Sequence, residues 1–296
     1  MAQATANGID LEYERFGPAA AEPVLLIMGL GAQLTLWPVE LCEALVARGF
    51  HVIRFDNRDV GLSTKFDAAG VPDLPAVLGA MMAGQAPQVP YRLDDMAADA
   101  VGLLDALGID AAHIVGASMG GMIAQLVAAG FPERTRSLTS IMSTTGNPML
   151  PPATPEAIGV LMSRPQGGDV DSLVDFGVKA ARVIGSPGYP AEEGALRARI
   201  RRDVERSVYP AGFARQMAAI YASGDRRARL AQVTAPTVVI HGTADPLVPV
   251  EGGRDTAASI AGAELIEIDG MGHDLPLPLV DRIADAIAGA ARRARA

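Results

Sequence analysis

Short, wholly apolar runs alternate along most of this chain with longer stretches whose apolar positions recur at helical spacing. Val24–Met28 is uninterrupted in its apolarity and closed by Gly29-Leu30-Gly31. Such continuity over so few residues suits a central strand covered on both faces. His51–Phe55, Ala112–Val115, Ser137–Ser143, Thr237–His241 and Glu264–Ile268 are further strand candidates, and Leu11–Phe16 alternates like a half-buried strand ending at Gly17-Pro18. Between them, Trp37–Arg48, Leu93–Leu107, Met119–Ala129, Glu251–Ile260 and a segment from about Pro278 to Ala290 carry the helical pattern, with Gly49 and Gly108 placed as helix stops. Strand and helix in this alternation predict βαβ units and a mainly parallel sheet.

The rhythm breaks near Asn147. From there to Arg229 the chain is rich in Pro, Gly, Arg and Ala, with amphipathic stretches at Ser172–Val183, Glu192–Ser207 and Phe213–Tyr221 and no strong strand pattern. The expected organisation is one α/β core, residues 1–146 and 231–296, interrupted by a helical cap at 147–230. Lys65–Tyr91, which holds four prolines, reads as irregular, and the closing ARRARA as a frayed, solvated end. No repeat of solenoid period stands out.

Composition narrows the possible functions. The 296 residues are 49% hydrophobic, which argues against disorder, and a net charge of -9 disfavours a general phosphate-backbone binder. One cysteine cannot form an intrachain disulfide, and with four histidines it leaves a structural zinc site without a plausible ligand set. Cys42, inside a helix pattern, reads as a small buried hydrophobe. The first residues show no secretory pattern and no apolar run approaches the length of a membrane span, so the expectation is a cytoplasmic protein without nucleic-acid or membrane partners. Whether it is a monomer or a homodimer is left open.

The chemistry centres on Gly116-Ala117-Ser118-Met119-Gly120, followed by Gly121. It lies directly between a strand and a helix, where a tight turn needs small flanking residues and lifts the serine hydroxyl clear at the helix N-terminus. A serine nucleophile needs a base, and the base an orienting acid. His273, in the loop Gly270-Met271-Gly272-His273-Asp274 beyond a strand, is the best-placed base; His51, His113 and His241 sit in or at strands and read as structural. Asp245, in the loop after Thr237–His241, is the acid candidate, while Asp269 and Asp274 are less attractive because they neighbour His273 in sequence. Parallel strands would bring all three to one sheet edge. Two backbone donors are expected for an oxyanion: the N–H of Met119 and, from the loop after Val24–Met28, that of Leu30. Asp56–Ser63 (DNRDVGLS) reads as scaffolding in which Arg58 pairs with Asp56 or Asp59. Met81, Met82, Met162 and Met217 are candidates for an adaptable apolar wall, although ordinary packing serves equally well.

At these residues the sequence resembles the α/β-hydrolase superfamily from about Gly8 to Ala290, through Met28–Gly31, Asp56–Ser63, Gly116–Gly121, His241–Pro249 and Gly270–His273. The resemblance implies an eight-stranded, mostly parallel sheet flanked by helices, with a helical cap inserted after the sixth strand. It also implies catalytic roles for Ser118, Asp245 and His273, oxyanion donors at Leu30 and Met119, and no cofactor or metal. A serine at the elbow, where dehalogenases and epoxide hydrolases of the superfamily have aspartate, counts against both. Met28-Gly29 replaces the common His-Gly before the oxyanion residue. The whole is most similar to capped bacterial serine esterases, including the anthracycline methylesterase-like branch. The implied activity is hydrolysis of a small-to-medium hydrophobic carboxylic ester through an acyl-enzyme. C–C bond hydrolysis, lactone hydrolysis and perhydrolysis use the same three residues and remain alternatives, as does a non-catalytic small-ligand receptor.

Overall fold

A computed structural model describes residues 1–295. The chain order is β1 (Ala2–Ala6), β2 (Ile9–Phe16), β3 (Glu22–Ile27), α1 (Val39–Ala47), β4 (Phe50–Phe55), α2 (Leu74–Met82), α3 (Leu93–Ala106), β5 (Ala112–Ala117), α4 (Met119–Gly130) and β6 (Thr135–Ile141). Five helices follow without a strand: α5 (Pro155–Met162), α6 (Val170–Ile184), α7 (Glu193–Arg206), α8 (Pro210–Ser223) and α9 (Arg227–Leu230). The chain then completes the sheet with β7 (Thr237–Gly242), α10 (Glu251–Ala258), β8 (Glu264–Ile268) and α11 (Val280–Arg293).

The eight strands form one sheet in the order β1-β2-β4-β3-β5-β6-β7-β8. β1 pairs antiparallel with β2 and β2 with β4; every other pairing is parallel. Side chains of a strand alternate between faces, so the apolar run of β3 feeds two cores. Leu25 and Ile27 join Ile53, Ile114 and Leu138 under α3 and α4. Val24 and Leu26 join Val52, Val115 and Ile141 beneath Trp37, α1 and α11. Layers on both faces explain why β3 is apolar from Val24 to Ile27 without polar alternation.

Several expectations need correction. β1 has no counterpart in the anticipated strands. The irregular stretch contains α2, whose N-cap Asp73 accepts the Ala76 N–H, and α5 also adds to the anticipated helices. The end is not simply frayed: α11 runs to Arg293, whose guanidinium lies 2.6 Å from Glu264, and Arg295 pairs with Glu22; Ala296 lies outside the described residues. Arg58 pairs with neither Asp56 nor Asp59 but donates Nε and Nη2 to the Asp99 carboxylate of α3, both at 2.6 Å. Met82 and Met162 point substantially to solvent, whereas Met217 is buried. Among the described residues no helix is long and apolar enough to cross a membrane.

Candidate active site

Ser118 sits between β5 and α4 at φ 57°, ψ −123°, a left-handed conformation rare for a residue with a side chain. The glycines around it are there because nothing larger fits. A Cβ at Gly116 would lie 2.0 Å from the Gly120 carbonyl oxygen, one at Gly120 would lie 2.0 Å from that of Ile27, and one at Gly121 would lie 2.5 Å from Ser143 Cβ. The turn is therefore clamped from the adjoining strands. Ser143 Oγ–H donates to the Ser118 carbonyl at 2.9 Å, fixing it further.

The loops after β7 and β8 bring the other two candidates to this edge. His273 Nε2 is 2.9 Å from Ser118 Oγ, and His273 Nδ1 is 2.7 Å from Asp245 Oδ2. The other Asp245 oxygen accepts the N–H groups of Leu247 and Val248, both at 2.9 Å. Burial pushes the Asp245 carboxyl up, but His273, the His241 ring and the Val248 amide outweigh it and hold the group well below the usual carboxylate range. Asp245 is thus an anion hydrogen-bonded to the His273 ring. Asp269 and Asp274 are engaged elsewhere: Thr243 Oγ1 donates to Asp269, and Ser186 Oγ to Asp274.

The remaining histidines have other partners. His51 Nδ1 lies 3.3 Å from the Gly17 carbonyl and His113 Nδ1 is 2.8 Å from Ser137 Oγ. His241 donates Nε2–H to the Val248 carbonyl at 2.8 Å, bracing the same loop that carries Asp245. Cys42 is fully buried, and burial drives its thiol up to about 12, so it is unreactive.

The loop after β3 lies against the elbow. A Cβ at Gly29 would be 3.1 Å from Ser118 Cβ and 3.5 Å from its Oγ. The Gly29 carbonyl accepts the Ala32 N–H at 3.3 Å, and across a trans peptide the Leu30 N–H points the opposite way. Neither Leu30 nor Met119 donates its amide to a protein acceptor among the described residues. Two side chains that sequence reasoning did not single out fix this loop. Asn57 Nδ2 donates to the Met28 carbonyl at 2.8 Å, and buried Gln216 of α8 accepts the Gly31 N–H at 2.8 Å while donating to the Arg58 carbonyl. An amide side chain in a helix pattern carries no sequence mark of such a role; Asn57, inside DNRDVGLS, was at least within a segment read as scaffolding. Among the described residues no three His, Cys, Asp or Glu side chains gather to hold a metal ion.

This sheet order, with a strained serine turn and a histidine–carboxylate pair converging on it, defines an α/β hydrolase. The sequence model of the family described as alpha/beta hydrolase fold matches residues 22–278, and the chain belongs to that family. More particularly, it is 31% identical to rhodomycin D methylesterase DauP of Streptomyces sp. strain C5, over 98% of this chain and 97% of that protein. It is also 31% identical to rhodomycin D methylesterase DnrP of Streptomyces peucetius, with the same coverage. Among solved structures, the enol-lactonase from Burkholderia xenovorans LB400 superposes with a TM-score of 0.73 at 25% identity, covering 98% of this chain and 99% of that one.

Proposed function

We propose that this α/β hydrolase is a serine esterase that cleaves a small-to-medium hydrophobic carboxylic ester, with Ser118 as nucleophile, His273 as general base and acid, and Asp245 as the orienting anion. The observation that carries this reading is the unbroken hydrogen-bond chain Ser118–His273–Asp245 at 2.9 and 2.7 Å, within proton-transfer reach. His273 takes the hydroxyl proton as Ser118 Oγ attacks the ester carbonyl. Asp245 keeps the imidazole in the tautomer that accepts at Nε2 and stabilises the imidazolium. The Leu30 and Met119 amides meet the oxyanion, each donor worth roughly 3 kcal/mol in comparable sites. His273 then protonates the departing alcohol, and a water activated by the same nitrogen releases the acid. In this proposal residues 147–230 are the cap over this edge of the sheet.

The methylesterase relatives favour a methyl ester, whose leaving group is small, so substrate recognition would fall on the acyl side. C–C hydrolysis of a charged diketo acid calls for a free buried cation. Here Arg54, Arg58, Arg206 and Arg215 are each paired with a carboxylate, and Arg226 spends its N–H groups on Gln125, Thr144, Ser223 and Gly224. On α7, Arg197 is occupied by Asp175 and Arg201 by Asp171, whereas Arg199 and Arg202 lie in no ion pair among the described residues. The Ser118–His273 contact speaks against a non-catalytic receptor.

Pre-steady-state release of p-nitrophenol from short and medium acyl esters tests the proposal. A burst stoichiometric with enzyme and absent in Ser118→Ala is expected. Ester turnover unchanged by that substitution would overturn it.

A further inference from the structure

The loop that carries His273 is held from two sides, by the loop after β7 and by the helical insert. The His273 N–H donates to the Ile184 carbonyl at the end of α6 at 2.7 Å, and the Gly188 N–H donates to the Gly270 carbonyl at 2.9 Å. Ser186, buried between them, accepts the Gly272 N–H at 2.8 Å and donates its own proton to Asp274 Oδ1. The two segments touch through backbone. A Cβ at Gly272 would lie 2.3 Å from the Gly185 carbonyl oxygen, and one at Gly188 would lie 3.0 Å from the Gly270 Cα. Residues on both sides of His273 are therefore joined by one hydroxyl from another part of the chain.

We infer that Ser186 is a positioning residue for the general base: its hydroxyl ties Gly272 to Asp274 and so sets where the His273 imidazole meets Ser118. The inference rests on the roles proposed above for Ser118 and His273. Because the tether comes from the insert, 184–188 is part of the catalytic frame rather than a freely moving cover. A general base must sit within a few tenths of an ångström of its productive place, and a misplacement approaching 1 Å costs about 100-fold in rate. Loss of the hydroxyl should fall on kcat and on the reactivity of Ser118, with KM little changed, since the Ser186 hydroxyl spends its bonds on Gly272 and Asp274.

The reporter is the rate at which a fluorophosphonate labels Ser118 in the intact protein, read together with kcat, KM and thermal unfolding. Wild type should be labelled and Ser118→Ala should not; no labelling of wild type would overturn the serine-hydrolase reading itself. Ser186→Ala should fold and be labelled about 10- to 100-fold more slowly, and Ser186→Thr, which keeps a hydroxyl, should recover most of that loss. Asp274→Ala removes one end of the tether while sparing the contact with Gly272, and carries the test should Ser186→Ala not fold. Added to Ser186→Ala, it should cost nothing further, because the two residues act as one unit. Wild-type labelling by folded Ser186→Ala, an equal loss in Ser186→Thr, or fully additive losses in the double variant would each overturn the inference.

Discussion

At Asp245 the carboxylate oxygens are divided between two tasks, one facing His273 and the other receiving two backbone amides of its own loop. The division ties the residue to its own loop and, in the role proposed for it, lets it select the imidazole tautomer. Asp245→Asn keeps the size and leaves an acceptor for the loop, but its amide can present a donor to Nδ1. His273 would then carry its proton on Nε2 and lose the ability to accept from Ser118. The expected loss in kcat is on the order of 10³- to 10⁴-fold, with unfolding nearly unchanged. Steady-state ester hydrolysis beside a urea titration separates the two effects, and a loss below about 10-fold would mean that Asp245 does not set the tautomer. Ser118, by contrast, owes its geometry to neighbours that lack a Cβ, which is why its surroundings are legible as GASMGG. Backbone crowding leaves a mark in local sequence.

β5 joins the Ser118 turn to the centre of the sheet, and His113 near its start is buried against β6 through Ser137. Burial, only partly opposed by Glu22, pushes the imidazole down from its ordinary value to about 4. The folded protein therefore binds a proton there less readily than the unfolded chain. This stability is fully present above about 6.5 and is lost as pH falls through about 4, a span worth about 3 kcal/mol. Urea unfolding between pH 7 and pH 4 should show that slope in wild type, and His113→Gln should flatten it; an unchanged slope would place the titration elsewhere. The same strands show what was readable at the level of elements. β3, β5 and β7 lie within two residues of their expected bounds, because strands covered on both faces are written as largely apolar runs. β1 (AQATA) is an edge strand of small and polar residues, four of its five not fully buried, so no hydrophobic pattern announces it. α2 (LPAVLGAMM) is apolar on nearly every face and carries Pro75 and Gly79, so it offers no helical periodicity to detect.

Over the whole molecule, α8 is locked to the core by contacts far apart in sequence. Arg215 reaches 156 residues back to Asp59 and Gln216 reaches 185 back to Gly31, as Ser186 reaches 88 forward to Asp274. No local pattern can encode such partners, which is why the candidate nucleophile, base and acid could be read from sequence and the groups that hold their loops could not. The Arg215–Asp59 pair is the deepest of these ties. Arg215 is 1% exposed and Asp59 0%, their two hydrogen bonds are 2.8 and 2.9 Å, and Asp59 also receives Tyr91 O–H and the Phe66 N–H. Burial alone would raise the Asp59 carboxyl; the hydrogen bonds from Arg215, the Phe66 N–H and the Tyr91 O–H, with the Arg215 charge, together outweigh it and lower the group below its ordinary value. Arg215→Met fills similar space but leaves a carboxylate buried without its cation, which costs about 3–5 kcal/mol. The deficit has a pH signature. In wild type the pair contributes stability above the ordinary carboxylate range and loses it as pH falls. In the variant Asp59 titrates above that range, so protonation relieves the penalty and the deficit should shrink from pH 7 towards pH 4. Asp59→Asn combined with Arg215→Met should recover much of the loss at pH 7 by removing the buried charge altogether. Because Gln216 is the next residue on α8, the single variant should also slow ester turnover through the Gly31 loop. A deficit under about 1 kcal/mol, or one that is the same at both pH values, would show that the insert is anchored by something other than this pair.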